Sequence, residues 1–395
     1  MTPLRILITA PTFPPCSDGV AHVTWEHASA LVDRGHSVTV ATQLRRDRVP
    51  SADSRISVVQ FDVSGNANAR TRYSGEIDRY VDFIGGFDCD LIACHCWQIW
   101  STDLAARAFR RARAPKVLVS HGVSANTRVT WPRGIPSYVL WRPYVWWGMP
   151  SIMRSFDRIL FLSEREDADR FYDRRLARRL GIESATVPNG CWPNLTPGRD
   201  ERFRRRHRVT TRRLVLCVGK YDRMKNEEEA VRAFMDARVP DCTLVLIGPR
   251  ENAYSNNLTN MWRPPTASTE LRVLSGLEAS EIREAYRAAD LFVTFSRTEY
   301  LPLVILDAMA SGVPFVSSDV GCVGDLPGGV VVRTSRELAA RIRCLMSDDQ
   351  LRARLSDLGR RACESVYSWD VVAKKLVAFY EESARAARTA SSAVV

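Results

Sequence analysis

A chain of 395 residues, 45% apolar and 26% charged, has the composition of a globular protein rather than a disordered one. It is too long for one core, so two domains of about 150–200 residues are expected. Nothing approaches the roughly 20 apolar residues of a membrane-spanning helix, and a net charge of +11 calls for an anionic partner: nucleotide, membrane surface or nucleic acid.

The start, MTPLRILITAPTFPP, runs straight into a strand without the charged and apolar regions of a signal peptide. The ten cysteines are scattered, with no C-x-x-C pair, which fits a reduced, cytoplasmic interior. Cys89, Cys94 and Cys96 cluster around His95, but that segment reads as a buried strand rather than a metal site. Lysine occurs at only five positions, and two of them, Lys220 and Lys225, share one short stretch.

In chain order, residues 5–10 form a strand, residues 21–34 a helix ending at Gly35, and residues 37–42 a second strand. This βαβ unit opens a parallel sheet. Strands follow at 56–61, 90–94, 116–120, 158–162 and 184–187. The turn Pro188-Asn189-Gly190 and the arginine-rich run from Arg202 to Arg213 separate this alternation from a second one. There, strands at 214–219, 243–248, 271–274, 291–296 and 314–319 alternate with helices at 226–237, 280–289 and 303–311. The expected class is α/β: two Rossmann-like doubly wound domains over residues 1–190 and 191–367, facing a cleft, and a closing segment 368–395. Ligands in such sheets lie outside the carboxyl ends of the strands.

Five strand ends carry polar or glycine signals. Asp18-Gly19 precedes a helix whose first N–H groups could receive a phosphate, although a loop glycine would look the same. His95 and His121-Gly122 end two strands; a histidine there bonds a sugar hydroxyl, or is a satisfied structural residue. Lys220 and Lys225 flank one loop ahead of a helix and can reach the same anion, where the alternative is two solvated surface lysines. Glu299 lies on the loop Ser296–Pro302, and Asp307 follows eight residues later on a helix. Carboxylates accept paired hydrogen bonds from vicinal hydroxyls such as those of ribose and hexose.

These features resemble the retaining GT-B glycosyltransferases, specifically glycosyltransferase family 4. The likeness runs from PTFPP…DGVA and RGHSVTV through VPNG and VGKYDRMKN to SRTEYLPLVILDAMASGVPFVSSDVG. The family's G-R-x4-K appears as Gly219-Lys220-x4-Lys225 and its E-x7-E as Glu299-x7-Asp307. By that resemblance Lys220 and Lys225 bind a diphosphate, Glu299 the donor sugar and Asp307 the ribose. Gly19 sits against phosphate or sugar, His121 lies beside the reacting sugar, and His95, Leu301 and Leu303 add donor contacts. No metal or other cofactor is implied, because the lysines and a helix dipole take its place. The final helix, about 369–383, resembles one that crosses back to the first domain. The chain departs from the pattern in three places: Lys220 replaces arginine, Asp307 replaces glutamate, and Tyr300-Leu301-Pro302 replaces Gly-Phe-Gly.

The implied reaction moves a hexose from a nucleotide-diphosphate sugar to a glycan, lipid-linked or small-molecule acceptor. A sugar phosphorylase or nucleotide-sugar epimerase of the same fold, or a non-catalytic binding protein, are the alternatives. No RNA-binding aromatic motif or helix-turn-helix accompanies the arginine run, so nucleic acid is not an expected partner. From Arg128 to Arg154, tryptophans and tyrosines alternate with arginines: Trp131, Tyr138, Trp141, Tyr144, Trp146 and Trp147. That mixture suits core packing, an acceptor platform or peripheral contact with the cytoplasmic membrane face.

Overall fold

The structure is a computed structural model. It describes residues 2–47, 53–66, 72–123, 137–166, 171–191 and 201–392, with residues 137, 138, 140 and 387–392 by backbone alone. Two compact units are present: Met1–Asn189 together with Asp370–Val395, and Gly190–Trp369.

The first unit contains β1 (Arg5–Thr9), β2 (Ser37–Gln43), β3 (Ile56–Phe61), a two-residue antiparallel pair β4 (Val63–Ser64) and β5 (Ser74–Gly75), then β6 (Leu91–His95), β7 (Lys116–Val119), β8 (Arg158–Phe161) and β9 (Glu183–Thr186). All except β4 and β5 form one parallel sheet in the order β3-β2-β1-β6-β7-β8-β9. Every residue of β6 is buried, as expected of a parallel strand covered by helices on both faces. Leu7, Phe61, Tyr80, Trp100 and Ile159 lie in its core. The helix Trp369–Ser392 packs onto this unit from Asp370 onward: Glu381 faces His36 at 3.5 Å, and Arg158 bonds Ser383 at 3.1 Å while lying over the Phe379 ring.

The second unit holds β10 (Arg213–Val218), β11 (Cys242–Gly248), β12 (Thr269–Ser275), β13 (Leu291–Thr294), β14 (Phe315–Ser318) and β15 (Gly329–Val332). They form a parallel sheet in the order β12-β11-β10-β13-β14-β15, with Val215, Phe234, Leu246, Val293 and Leu338 in its core. In both sheets the chain works outward from one central strand and then reverses, between β1 and β6 and between β10 and β13. Ligands of doubly wound sheets bind at such reversals.

The structure differs from the sequence reading in a few elements. The first helix begins at Gly19 rather than residue 21, because the Asp18 carboxylate accepts from the N–H groups of Val20 and Ala21 and caps it there. β15 was not foreseen; it is a four-residue run opened by glycine, and the Phe315 ring fills the space a Cβ at Gly329 would need. The arginine-rich run folds into its own unit. Arg204 is buried against the Thr211 and Ala288 carbonyls, Arg206 pairs with Glu281 and Glu284, and Arg213 pairs with Asp290. No described helix is long and apolar enough to cross a membrane.

Candidate functional site

In the second unit the loops after β10 and β13 are stitched into one structure. Tyr221 anchors the first loop, reaching the carbonyls of Leu246 (3.0 Å) and Leu274 (2.6 Å) on the two outer strands. Asp222 Oδ1 accepts from the N–H groups of Met224 and Lys225, both at 2.9 Å, which fixes the turn that presents the lysine. Asn226 takes the left-handed conformation (φ 57°), and its side-chain amide donates to the Phe295 carbonyl on the other loop at 3.2 Å. Arg297 N–H donates to the Met224 carbonyl at 2.8 Å. Lys225 Nζ meets Glu299 Oε1 at 2.6 Å. From β14's side, Ser318 Oγ donates to the Ser296 carbonyl at 2.6 Å and Cys322 N–H to the Tyr300 carbonyl at 3.0 Å. Gly321 (φ 57°) is needed here, since a Cβ would strike the Tyr300 and Glu299 carbonyls.

The two helices leaving these loops, Glu227–Ala237 and Leu303–Ala310, both start without a side-chain cap. In their first turns Glu228 N–H donates to Tyr254 Oη (3.4 Å), Glu229 N–H to the Asn226 carbonyl (3.1 Å) and Ile305 N–H to the Pro302 carbonyl (3.2 Å). What each helix start offers an anion or a hydroxyl is therefore chiefly its positive end. Lys220 is exposed, and its ammonium has no partner among the described residues. Leu301 is buried and Leu303 is the first, half-buried residue of its helix. Asp307 lies one turn further on. Its carboxylate has no hydrogen-bond partner among the described residues, and burial pushes it up to about 7 against the pull of Arg283.

Sequence reasoning passed over Glu227. It is 1% exposed, and a Cβ on Gly219 would sit 3.4 Å from its Oε1, so it underlies the lysine loop. Burial raises it to about 8, with Asp222 adding to the rise and Lys225 opposing it. An acid directly after the loop was the available signal.

The first unit gathers its residues at β1, β6 and β7. Of the two expectations for Gly19, phosphate or sugar, the phosphate is corrected: Asp18 Oδ1 already accepts from Val20 N–H (3.0 Å), Ala21 N–H (3.1 Å) and Thr12 Oγ1 (2.9 Å). A carboxylate holding that helix end repels a second anion, and Gly19 is left as an exposed first residue. His95 is corrected too. It is fully buried between His27, Thr24 and His121, with its Nδ1 3.3 Å from both Thr24 Oγ1 and His121 Nε2. It supports His121 from behind rather than facing a ligand. His121 is half-buried, and burial holds it neutral, down to about 4, with Asp18 pulling the other way. When Nε2 donates to His95, Nδ1 of His121 is left as an acceptor.

Of the aromatic segment, Trp131 lies outside the described residues and so does the Tyr138 side chain. Tyr144 is buried and Trp141 half-buried, whereas Trp146 and Trp147 are 55% and 69% exposed. Asp-x-Asp spacings, a pattern able to hold a divalent cation, occur at Asp88 and Asp90 and at Asp167 and Asp169. Asp88 is bonded by the Arg5 guanidinium and Asp90 by the Arg5 N–H; the other pair lies outside the described residues. Among the described residues no three His, Cys, Asp or Glu side chains converge on a metal position.

A family model described as glycosyltransferase family 4 matches residues 17–194, and one described as glycosyl transferases group 1 matches residues 199–362. Sucrose-phosphate synthase from Thermosynechococcus elongatus has the same fold, at a TM-score of 0.76 and 17% identity over 96% of this chain and 98% of that one. This chain is a GT-B glycosyltransferase of family 4. Anabaena HepE, solved in complex with UDP and glucose, is similar at a TM-score of 0.70 and 17% identity, over 96% and 100% of the two chains. Spore coat protein SA of Bacillus subtilis is 26% identical over 206 residues, which cover 49% of this glycosyltransferase and 55% of that protein. The chain thus spans about half the length of that curated relative. The first of the two family models takes in Gly19, His95 and His121, and the second takes in Lys220, Lys225, Glu299 and Asp307.

Proposed function

We propose that this glycosyltransferase moves a hexose from a nucleoside diphosphate sugar to a glycan, lipid-linked or small-molecule acceptor, with retention and without a bound metal. The observation that carries this reading is the stitched loop pair. It sets Lys220 and Lys225 beside one uncapped helix start, and Glu299 and Asp307 beside another. Lys220 and Lys225 hold the diphosphate. Its charge grows as the bond to the sugar breaks, so fixed cations favour the transition state over the ground state. Glu299 accepts the sugar's hydroxyls, Asp307 those of the ribose, and Leu301 and Leu303 border the donor.

The nucleotide-sugar role thus belongs to the second unit, and the acceptor role to the first. His121 lies beside the reacting sugar, held by His95. The complex of HepE with UDP and glucose makes UDP-glucose the first donor to test. The same reading has a cytoplasmic enzyme that meets a membrane through its aromatic segment, supported by the exposure of Trp146 and Trp147.

The deciding experiment is a thermal-shift screen with UDP-, GDP-, ADP- and dTDP-sugars, followed by an assay of nucleotide release. A donor at 100 times its Kd stabilises by about 2.7 kcal/mol. Release that depends on a second sugar-accepting substrate separates transfer from epimerisation and phosphorolysis. A chain that no nucleotide sugar stabilises sinks the proposal.

A further inference from the structure

The first unit carries a pocket of about 620 Å³ that the transfer chemistry does not use. It lies between the helix Ala105–Ala108 and the helical stretch that includes Tyr144–Gly148 and Met149–Met153, with Lys116, the first residue of β7, at its edge. Its floor is Asp103, 7% exposed, whose carboxylate accepts from Tyr73 Oη at 2.7 Å and Tyr144 Oη at 3.0 Å. Burial pushes that carboxyl up to about 6, opposed by the two tyrosine hydroxyls and by Arg107, which offsets its charge at the pocket floor.

The rim is cationic. Arg107 and Arg110 are exposed and line the pocket with Lys116, facing Ser151 and Ser155. Neither arginine forms an ion pair among the described residues, whereas the adjacent Arg111 is held by Asp82 at 2.9 Å. The exposed Asp157 accepts the backbone N–H of Lys116 at 2.7 Å.

The same helical stretch that gives Tyr144 and Gly148 to the pocket turns two neighbouring tryptophans into solvent. Trp146 and Trp147 sit edge to face with centroids 6.0 Å apart, and Arg142 lies 5.2 Å over the Trp146 ring. Paired exposed indoles in a basic surround are unusual on a surface that meets only water, and are the mixture found at bilayer interfaces.

We propose that this face docks on an anionic bilayer, with the phosphate of one lipid headgroup held in the pocket by Arg107, Arg110 and Lys116 while Trp146 and Trp147 enter the interface. The inference rests on the reading that this segment meets a membrane, and it is independent of the transfer reaction.

The test is co-sedimentation of the full chain with vesicles of phosphatidylglycerol in phosphatidylcholine, against phosphatidylcholine alone. Binding is expected on the anionic vesicles and should weaken with salt. The double substitution Arg107→Gln with Arg110→Gln should weaken it by more than about 30-fold, the loss that diffuse attraction alone gives at about five-fold for each surface charge. Removing the same charge outside the pocket, with Arg113→Gln and Arg154→Gln, should weaken it markedly less. Trp146→Ala with Trp147→Ala should abolish salt-resistant binding. Unaltered melting temperature and nucleotide-induced shift would establish that each variant is folded, and that the donor site stands apart from this one.

Equal losses from the two arginine pairs would overturn the headgroup pocket in favour of diffuse attraction. Absence of binding to anionic vesicles at low salt would overturn the whole inference. Competition by inorganic phosphate as strong as that of lipid would reassign the pocket to a soluble anion. A dimer in solution that Trp146→Ala dissolves would reassign the face to a second copy.

Discussion

Lys225 and Glu299, 74 positions apart in sequence, meet through an ion pair of 2.6 Å that joins the two loops of the second unit. Their side chains are 32% and 12% exposed, so the pair is neither fully solvated nor deeply buried. The proposed reaction assigns these two groups to different parts of one donor, diphosphate and sugar. In the free chain they satisfy each other, which keeps both side chains in place without an unpaired half-buried charge. A donor then exchanges one ion pair for two better-matched contacts.

The first prediction follows from that exchange. Glu299→Gln removes the competitor for Lys225, so UDP should bind at least as tightly as to the parent, while turnover falls because the sugar contact is weakened. Lys225→Ala should lose both, with kcat/KM down about 10²–10³-fold, the scale of one preorganised charge donor. Calorimetric titration with UDP beside steady-state kinetics checks the split. Weaker UDP binding in Glu299→Gln would mean that the carboxylate positions the lysine rather than competes for it.

A second prediction concerns metal. Two lysines and an uncapped helix start supply the positive charge, so activity should persist in EDTA at concentrations that strip divalent ions. Loss of activity with EDTA and its rescue by manganese would reassign the diphosphate to a cation and leave the lysines secondary.

The third prediction is a pH dependence. Burial holds the Asp307 carboxyl protonated up to about 7, against an ordinary value of 3.8. A ribose diol donates hydrogen bonds and so favours the carboxylate form. Donor binding therefore releases a proton. Donor KM should fall as pH rises through about 7, by at most ten-fold per pH unit below that value. Asp307→Asn should flatten this profile, and should raise KM more than it lowers kcat, because ribose contacts are made equally in ground and transition states. A profile that Asp307→Asn leaves unchanged would assign the titration elsewhere, with Glu227 as the next group to test.

Much of this architecture was legible in sequence for a definite reason. Strands of parallel sheets are buried on both faces, so β1, β6, β10 and β11 appear as unbroken apolar runs. Strand ends then locate the loops that hold Lys220, Lys225 and Glu299. What stayed hidden depends on contacts made far along the chain. Whether His95 faces outward or inward is decided by Thr24 and His27, which the first helix brings over it. The pairing of Lys225 with Glu299 is likewise invisible until β10 and β13 lie side by side. Asp18 is a different case: an acid directly before a helix is a readable capping signal, and it argues against a phosphate at the same N–H groups.

The fourth prediction uses the anchor of the lysine loop. A Cβ at Gly248 would overlap the Tyr221 ring, whose hydroxyl reaches the Leu246 and Leu274 carbonyls. Gly248→Ala should therefore dislodge Tyr221 and lower both the melting temperature and the affinity for UDP. Tyr221→Phe keeps the ring and removes only the hydroxyl, so it should cost about 1 kcal/mol of stability with a smaller loss of affinity. If Gly248→Ala destabilises the fold yet leaves UDP affinity intact, the loop does not depend on this anchor.

The last prediction concerns stereochemistry. Retention through two displacements needs a carboxylate below the anomeric carbon to act as nucleophile. Glu299 is assigned to the sugar's hydroxyls, and Asp307 sits half-buried on a helix among groups assigned to the nucleotide. In the first unit, Asp18 is close enough to His121 to raise its affinity for a proton, but it already accepts three hydrogen bonds as a helix cap. His121 is held neutral and backed by His95, which suits a hydrogen bond to the sugar better than a covalent bond. A front-face route remains. The departing diphosphate oxygen takes the acceptor's proton, Lys220 and Lys225 hold the charge left behind, and the acceptor oxygen joins the face the diphosphate vacates. The first-formed product should therefore keep the donor's anomeric configuration, read by proton NMR before mutarotation. Asp18→Asn, which preserves a capping residue, should retain most of the turnover. An inverted product, a glycosyl adduct trapped on Asp18, or loss of all turnover in a folded Asp18→Asn would each remove the front-face mechanism.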